Sequence, residues 1–155
     1  MAVNDYLRAA KAAWDRREWG SCWKFSNEAL NEEPDSPEAL YLAGCALREI
    51  GNIGLAVTLY RRALAMRPAH LNLWMHFAAT LHDLHQWEEA REAYLMILKQ
   101  VPGEAMAMAN IGAGYVQQGE PRKAVEWAEK ALAITPNGHI AHIARCFGNL
   151  GLGRW

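Results

Sequence analysis

The sequence predicts an all-α solenoid of antiparallel helix pairs, and three observations carry that prediction. Prolines recur at a fixed step of 34 residues, as Pro34, Pro68, Pro102 and Pro136. Each is approached by the same kind of segment (SNEALNEEP, YRRALAMRP, YLMILKQVP, AEKALAITP), with Leu30, Leu64, Leu98 or Leu132 four residues ahead of it. Small residues return in the same phase. With each proline counted as position 32, position 8 holds Ala10, Gly44, Ala78, Gly112 and Cys146, and position 20 holds Cys22, Ala56, Ala90 and Ala124. A fixed period of this size marks stacked supersecondary units, each too small to bury its own apolar face alone.

Each unit reads as a helix A of about three turns, a tight turn near position 15, and a helix B that proline ends. Proline removes a backbone donor and pushes the residue before it out of the α region, so the B helices stop where the period says they should. Small residues at positions 8 and 20 let the two helices approach closely, while Tyr6, Leu40, Trp74 and Met108 at position 4 fill the space beside the crossing. In the first repeat Tyr6, Ala10, Trp19 and Cys22 follow this pattern. The second opens on Ser36-Pro37, a cap residue followed by proline in the first helical turn, and turns at Gly51. The third is the most regular, from Trp74 through Trp87 and Ala90 to Pro102. The fourth turns at Gly119 and starts its B helix on Pro121. Gly51, Gly119 and Gly153 suit a left-handed residue at the end of helix A. A fifth helix A follows Pro136, which makes nine helices. Its apolar stripe, Ile140, Ile143, Phe147 and Leu150, is displaced by two positions from the others, which predicts a rotated helix or a slipped register.

At this point the chain resembles the tetratricopeptide repeat family. In the third repeat Trp74, Phe77, Ala78, Leu81, Trp87, Ala90, Tyr94, Leu98 and Pro102 stand where the family pattern wants them. In the second, Leu40, Gly44, Leu47, Gly51, Ala56, Tyr60, Ala63 and Pro68 do so. Ser26 and Ala128 depart where an aromatic is usual, and Pro121 departs where tyrosine is common. The resemblance covers essentially the whole chain. It implies a right-handed superhelix with the A helices lining an inner groove, and one array over residues 1–155. The repeats are expected at about 3–36, 37–70, 71–104 and 105–138, with a terminal helix at 139–155. The chain stops at GLGRW, where another B helix should start, so a fragment of a longer protein is expected.

Composition excludes several functions. Sixteen basic and 17 acidic residues give a net charge of −1 with no long run of either sign, so the basic stripe that nucleic acid needs is missing. No apolar stretch reaches the length of a membrane span, and the amino terminus lacks the order of a signal peptide. Three cysteines with no paired spacing do not make a disulfide framework; Cys22 and Cys146 are expected to act as small core residues. A reducing, cytoplasmic setting follows from that usage. His139, His142 and Cys146 share one helical face, but no further motif completes a tetrahedral metal site. His82-Asp83 has no nucleophile at an informative spacing. The expectation is therefore no enzyme activity, no cofactor and no metal.

What remains is the groove. In the family it is lined mainly by positions 2, 5, 6, 9, 12 and 13 of helix A. The resemblance carried over to this sequence marks Leu7, Arg8 and Lys11 on the first helix A, and Tyr41, Leu42 and Arg48 on the second. It marks Met75, His76 and His82 on the third, and Met106, Asn110 and Gln117 on the fourth. Such a surface suits a protein or extended peptide partner. Chaperone-binding members hold a terminal carboxylate with lysine, asparagine and arginine where this chain has Leu7, Lys11, Leu42, Asn72 and His76, so that clamp is absent. The asparagine ladder of members that serve a sugar transferase is reduced to Asn110. Three functions stay open: a peptide-binding interaction module, the amino-terminal arm of a larger enzyme such as a bacterial glycosyltransferase (LGRW is similar to the segment at that junction), and a self-assembling scaffold. The first needs nothing beyond these residues. A weak homodimer through the terminal helix 139–155 is expected as well, because Ile140, Ile143, Phe147, Leu150 and Trp155 make an apolar stripe that a further helix would cover.

Overall fold

The computed structural model describes residues 2–153. Trp155, expected to extend the apolar stripe of the last helix, lies outside the described residues. Among them are nine helices and no strand. In chain order they are α1 Val3–Asp15, α2 Trp19–Glu32, α3 Pro37–Glu49, α4 Ile53–Met66, α5 Leu71–Asp83, α6 Trp87–Gln100, α7 Ala105–Gln117, α8 Pro121–Ile134 and α9 His139–Gly151. Every helix start and end returns after 34 residues, with 13-residue A helices (α1, α3, α5, α7, α9) and 14-residue B helices.

Backbone chemistry explains the regularity. Each B helix stops two residues before its proline, and the intervening residue has left the α region: Glu33 (φ −132°, ψ 88°), Arg67 (−129°, 68°), Val101 (−131°, 88°) and Thr135 (−124°, 88°). That is the restriction proline imposes on its predecessor. Position 15 is left-handed in every described repeat. Gly51, Gly119 and Gly153 take it without strain, at φ 89°, 71° and 67°, while Arg17 and His85 are forced into it at 58° and 60°. Ser36 stands at the cap position as expected, but its side chain makes no capping bond; it is buried, and Pro37 and Glu38 supply the first-turn signals.

The chain divides into two compact units, Met1–Leu84 and His85–Trp155. In the first, α1 touches α3 and α3 touches α5, and in the second α7 touches α9; neither unit brings one of its described B helices against another. The A helices therefore form the closely packed side of each unit.

Glycine and alanine at positions 8 and 20 set how closely A and B approach, and the two units use them differently. In the first unit, a Cβ on Gly44 would lie 2.7 Å from Cε1 of Tyr60, so glycine here makes room for a fully buried ring. In the second, a Cβ on Gly112 would lie 3.2 Å from Ala124 O and 3.4 Å from Ala128 N. The backbones of α7 and α8 nearly touch, and Ala128 replaces the aromatic because no space is left for one. At Ser26, the other departure, the aromatic volume comes from Trp14, Trp23 and Phe25, which pack on the cluster that holds Leu7, Ala10, Cys22 and Leu42.

The last helix is rotated, as its displaced stripe predicts. Gly148, not Cys146, faces α8: a Cβ there would lie 2.7 Å from Cγ2 of Val125 and 3.1 Å from Pro121 O. Cys146 is exposed, which corrects the expectation that it packs in the core. The rotation leaves Ile143, Phe147 and Leu150 in solvent, with Phe147 56 % exposed, and turns Ile140 against Ala109, Ala131 and Ala141.

Candidate functional site

The residues marked for the groove fall into three physical classes. Leu7 and Leu42 are buried and belong to the core of the first unit, not to its surface. Arg8 and Lys11 on α1, and Met106 and Gln117 on α7, are exposed. Tyr41, Arg48, Met75, His76, His82 and Asn110 are half-buried, each with part of its side chain in solvent.

In the first unit, α3 and α5 bring Tyr41 and His76 edge to face, with ring centroids 5.4 Å apart. Trp14 of α1 stands 6.4 Å from His76, again edge-on, and His70 lies 5.8 Å from Tyr41. This aromatic cluster spans the A helices of the unit. Burial holds the His76 imidazole below its ordinary pKa of 6.5, and the nearby Arg48 guanidinium lowers it further, so the ring is neutral near pH 7. Beneath it the Tyr60 hydroxyl donates to Cys45 Sγ at 3.2 Å. Burial pushes the Cys45 thiol up to about 12, which leaves it without thiolate character and without a nucleophile's chemistry.

The charged residues of this face answer one another, across helices or within one. Arg48 donates from Nε (3.0 Å) and Nη2 (2.7 Å) to Asp83 Oδ2, so Asp83 is engaged by an arginine of the preceding A helix. Lys11 pairs with Glu38, and Arg8 with Asp5 at 3.5 Å. In the second unit, Asn110 donates from Nδ2 to Met106 O at 2.9 Å, which ties half of its amide to its own helix and leaves the oxygen available. His142 is engaged as well: Pro136 O lies 2.7 Å from Nε2 and Arg145 Nη2 lies 3.3 Å from Nδ1.

Two hollows lie between successive A helices, one in each unit. That between α3 and α5 has a volume of about 220 Å³ and is rimmed by Lys11, Glu38, Arg67 and His70. That between α7 and α9 has a volume of about 500 Å³ and is walled by Ala105, Met106, Ala109, Ala131, Gly138 and Ile140. On another part of the second unit, Arg91 and Lys123 stand over the Tyr115 ring at 5.2 and 5.4 Å, but Gln118 and Glu120 already engage them. Of the larger hollow's wall the groove positions include Met106 but not Ala131 or Gly138, and in the first unit they do not include His70. His70 sits in a connection, where no helical periodicity points to it. Alanine and glycine carry no chemical signature of a cavity.

Comparison with known proteins agrees with this architecture. A tetratricopeptide repeat family model matches residues 70–137. A second, described as anaphase-promoting complex, cyclosome, subunit 3, matches residues 15–97, more than half of the chain. Among solved structures, MamA 41-end from Desulfovibrio magneticus RS-1 is 24% identical, with a TM-score of 0.90, over 98% of this chain and 86% of that one. YrrB, described as a TPR protein with an unusual peptide-binding site, is 23% identical with a TM-score of 0.88, over 94% of this chain and 75% of that one. A tetratricopeptide repeat protein from Parabacteroides merdae ATCC 43184 is 19% identical with a TM-score of 0.86, over 97% of this chain and 60% of that one.

Proposed function

We propose, from the premise that the chain belongs to the tetratricopeptide repeat family, that it is a non-catalytic interaction module whose A helices bind a protein or an extended peptide. The observation that carries this reading is the half-buried cluster of Trp14, Tyr41 and His76, which offers rigid aromatic surface on the A-helix side of the first unit. Aromatic side chains in such positions are the usual anchors of binding energy. In the second unit Met106, Asn110 and Gln117 supply the adaptable part, an apolar arm and two amides suited to peptide backbone. Free cysteines, two of them buried as plain apolar groups, support a cytoplasmic setting. No helix among the described residues is long and apolar enough to cross a membrane.

The test is selection of linear peptides against the chain from a random library, followed by titration of the selected peptide into variants. A peptide held by the first unit is expected to bind about tenfold or more weakly to Tyr41→Ala, and one held by the second unit to Asn110→Ala, as removal of an interface anchor does, with unchanged helical circular dichroism. Selected peptides that bind both variants with the parent's affinity would place the site elsewhere on the chain.

A second reading follows from the rotation of α9. Ile143, Phe147 and Leu150 make a strip of exposed apolar surface, and such strips tend to find a partner. Weak pairing of two copies through these strips would be isologous and would close at the dimer. Sedimentation at rising concentration is expected to show a mass that increases with loading, and Phe147→Glu is expected to abolish the increase. A parent chain that stays monomeric throughout removes this reading.

A further inference from the structure

The two hollows stand at corresponding places, two repeats apart. Each is bounded by the first turns of one A helix, the end of the next B helix, and the first turn of the following A helix. What differs is the residue at each matching position. Tyr41 of α3 becomes Ala109 of α7, and His70 before α5 becomes Gly138 before α9. Glu38 becomes Met106, and Arg67 becomes Thr135.

In the first unit the chain fills its own hollow. The Tyr41 ring stands in it, stacked at an angle on His70, and the remaining 220 Å³ has a charged rim. In the second unit both rings and the charges at these positions are gone. The floor is the buried cluster of Ala109, Ala131 and Ala141, and the open volume is 500 Å³, within the range of ligand pockets. Neighbouring side chains do not fold in to refill it: Met106 stays 48 % exposed at the rim. Gly138 keeps the mouth open, since it puts no side chain where His70 stands in the first unit.

We propose that the hollow between α7 and α9 receives an aromatic side chain of the partner, in the place that Tyr41 occupies in the first unit. The occupant's chemistry is read from the chain itself, which at the corresponding place of the first unit sets the Tyr41 ring beside Arg67, His70 and Leu73. An aromatic group buries the largest apolar area per side chain with little conformational freedom to lose, which suits a preformed apolar site. The proposal rests on the interaction-module reading for the source of the ring, but the cavity can be probed without a partner.

The experiment adds N-acetyl-tryptophanamide, N-acetyl-tyrosinamide or N-acetyl-alaninamide to the ¹⁵N-labelled full chain and follows backbone amides by NMR. The two aromatic amides are expected to shift Ala109, Gly138, Ile140 and Ala141 in a saturable way, and the alanine amide is expected to leave them in place. Ala109→Tyr, which rebuilds the first unit's arrangement, is expected to lose those shifts while the rest of the spectrum keeps its dispersion. Should that variant fold poorly, Met106→Glu on the exposed rim is expected to weaken the same shifts. No shift at these amides up to the solubility limit of the aromatic probes overturns the proposal, and so do undiminished shifts in a folded Ala109→Tyr. A library peptide that depends on Asn110 but ignores Ala109→Tyr sinks the cavity proposal alone. Binding of the aromatic amides with no selectable peptide sinks the groove reading and leaves the cavity standing.

Discussion

Replacing Tyr60 by alanine is expected to cost about 3–5 kcal/mol, the range for deleting a buried aromatic ring. The ring is fully buried, lies on Gly44, and spends its hydroxyl on Cys45. The cavity left behind cannot be filled by relaxation on the α3 side, because Gly44 has no side chain to move into it. Urea unfolding followed by circular dichroism measures the loss. A double-mutant cycle makes the test specific. Gly44→Ala in the parent drives a methyl to within 2.7 Å of a ring carbon and is expected to destabilise. In the Tyr60→Ala background the same methyl enters empty space, and its cost is expected to vanish or reverse. Equal costs in both backgrounds would show that the ring does not sit on the glycine.

Enlarging position 20 is expected to cost about 1–3 kcal/mol per site, the usual penalty for forcing extra methylenes into a packed core. Ala56 on α4 and Ala90 on α6 are the sites, with relative exposures of 0% and 2%. Both Ala56→Leu and Ala90→Leu are expected to lower the urea midpoint without changing the helical signal below the transition. The same substitution at Ala65, exposed on α4, serves as the control and is expected to be nearly neutral. Parent-like midpoints for both buried variants would mean that the 34-residue period has been placed in the wrong phase.

Much of the fold was legible because it is written in local backbone chemistry. Proline at a fixed step stops each B helix through its own φ restriction, and glycine at position 15 tolerates the left-handed turn, so neither depends on distant residues. Arg17 and His85 show where this runs out: they adopt the same left-handed conformation with no compositional sign of it, held by the helices on either side. The rotation of α9 was legible from its stripe, but its consequence for Cys146 was not, since only the contact of Gly148 with Val125 and Pro121 decides which small residue faces inward. The candidate site was less legible than the fold. Leu7 and Leu42 carry groove positions yet are drawn into the core by neighbours on other helices. The Arg48–Asp83 pair joins residues 35 positions apart, which no spacing rule within one helix predicts. The larger hollow is made of what is missing at Ala109 and Gly138, and an absence of bulk becomes a shape only when the walls are in place.

The internal pairing of charge on the first unit also fixes how a partner would arrive. Lys11 with Glu38, Arg48 with Asp83 and Arg8 with Asp5 cancel at short range, and the whole chain carries a net charge of −1. Little field extends into the solvent to draw in or orient an incoming molecule. Encounter is then a matter of unsteered diffusion, at roughly 10⁵–10⁶ M⁻¹s⁻¹, and nearly indifferent to added salt. Discrimination among partners falls to the lifetime of the complex, set by how well rings and amides fit once contact is made.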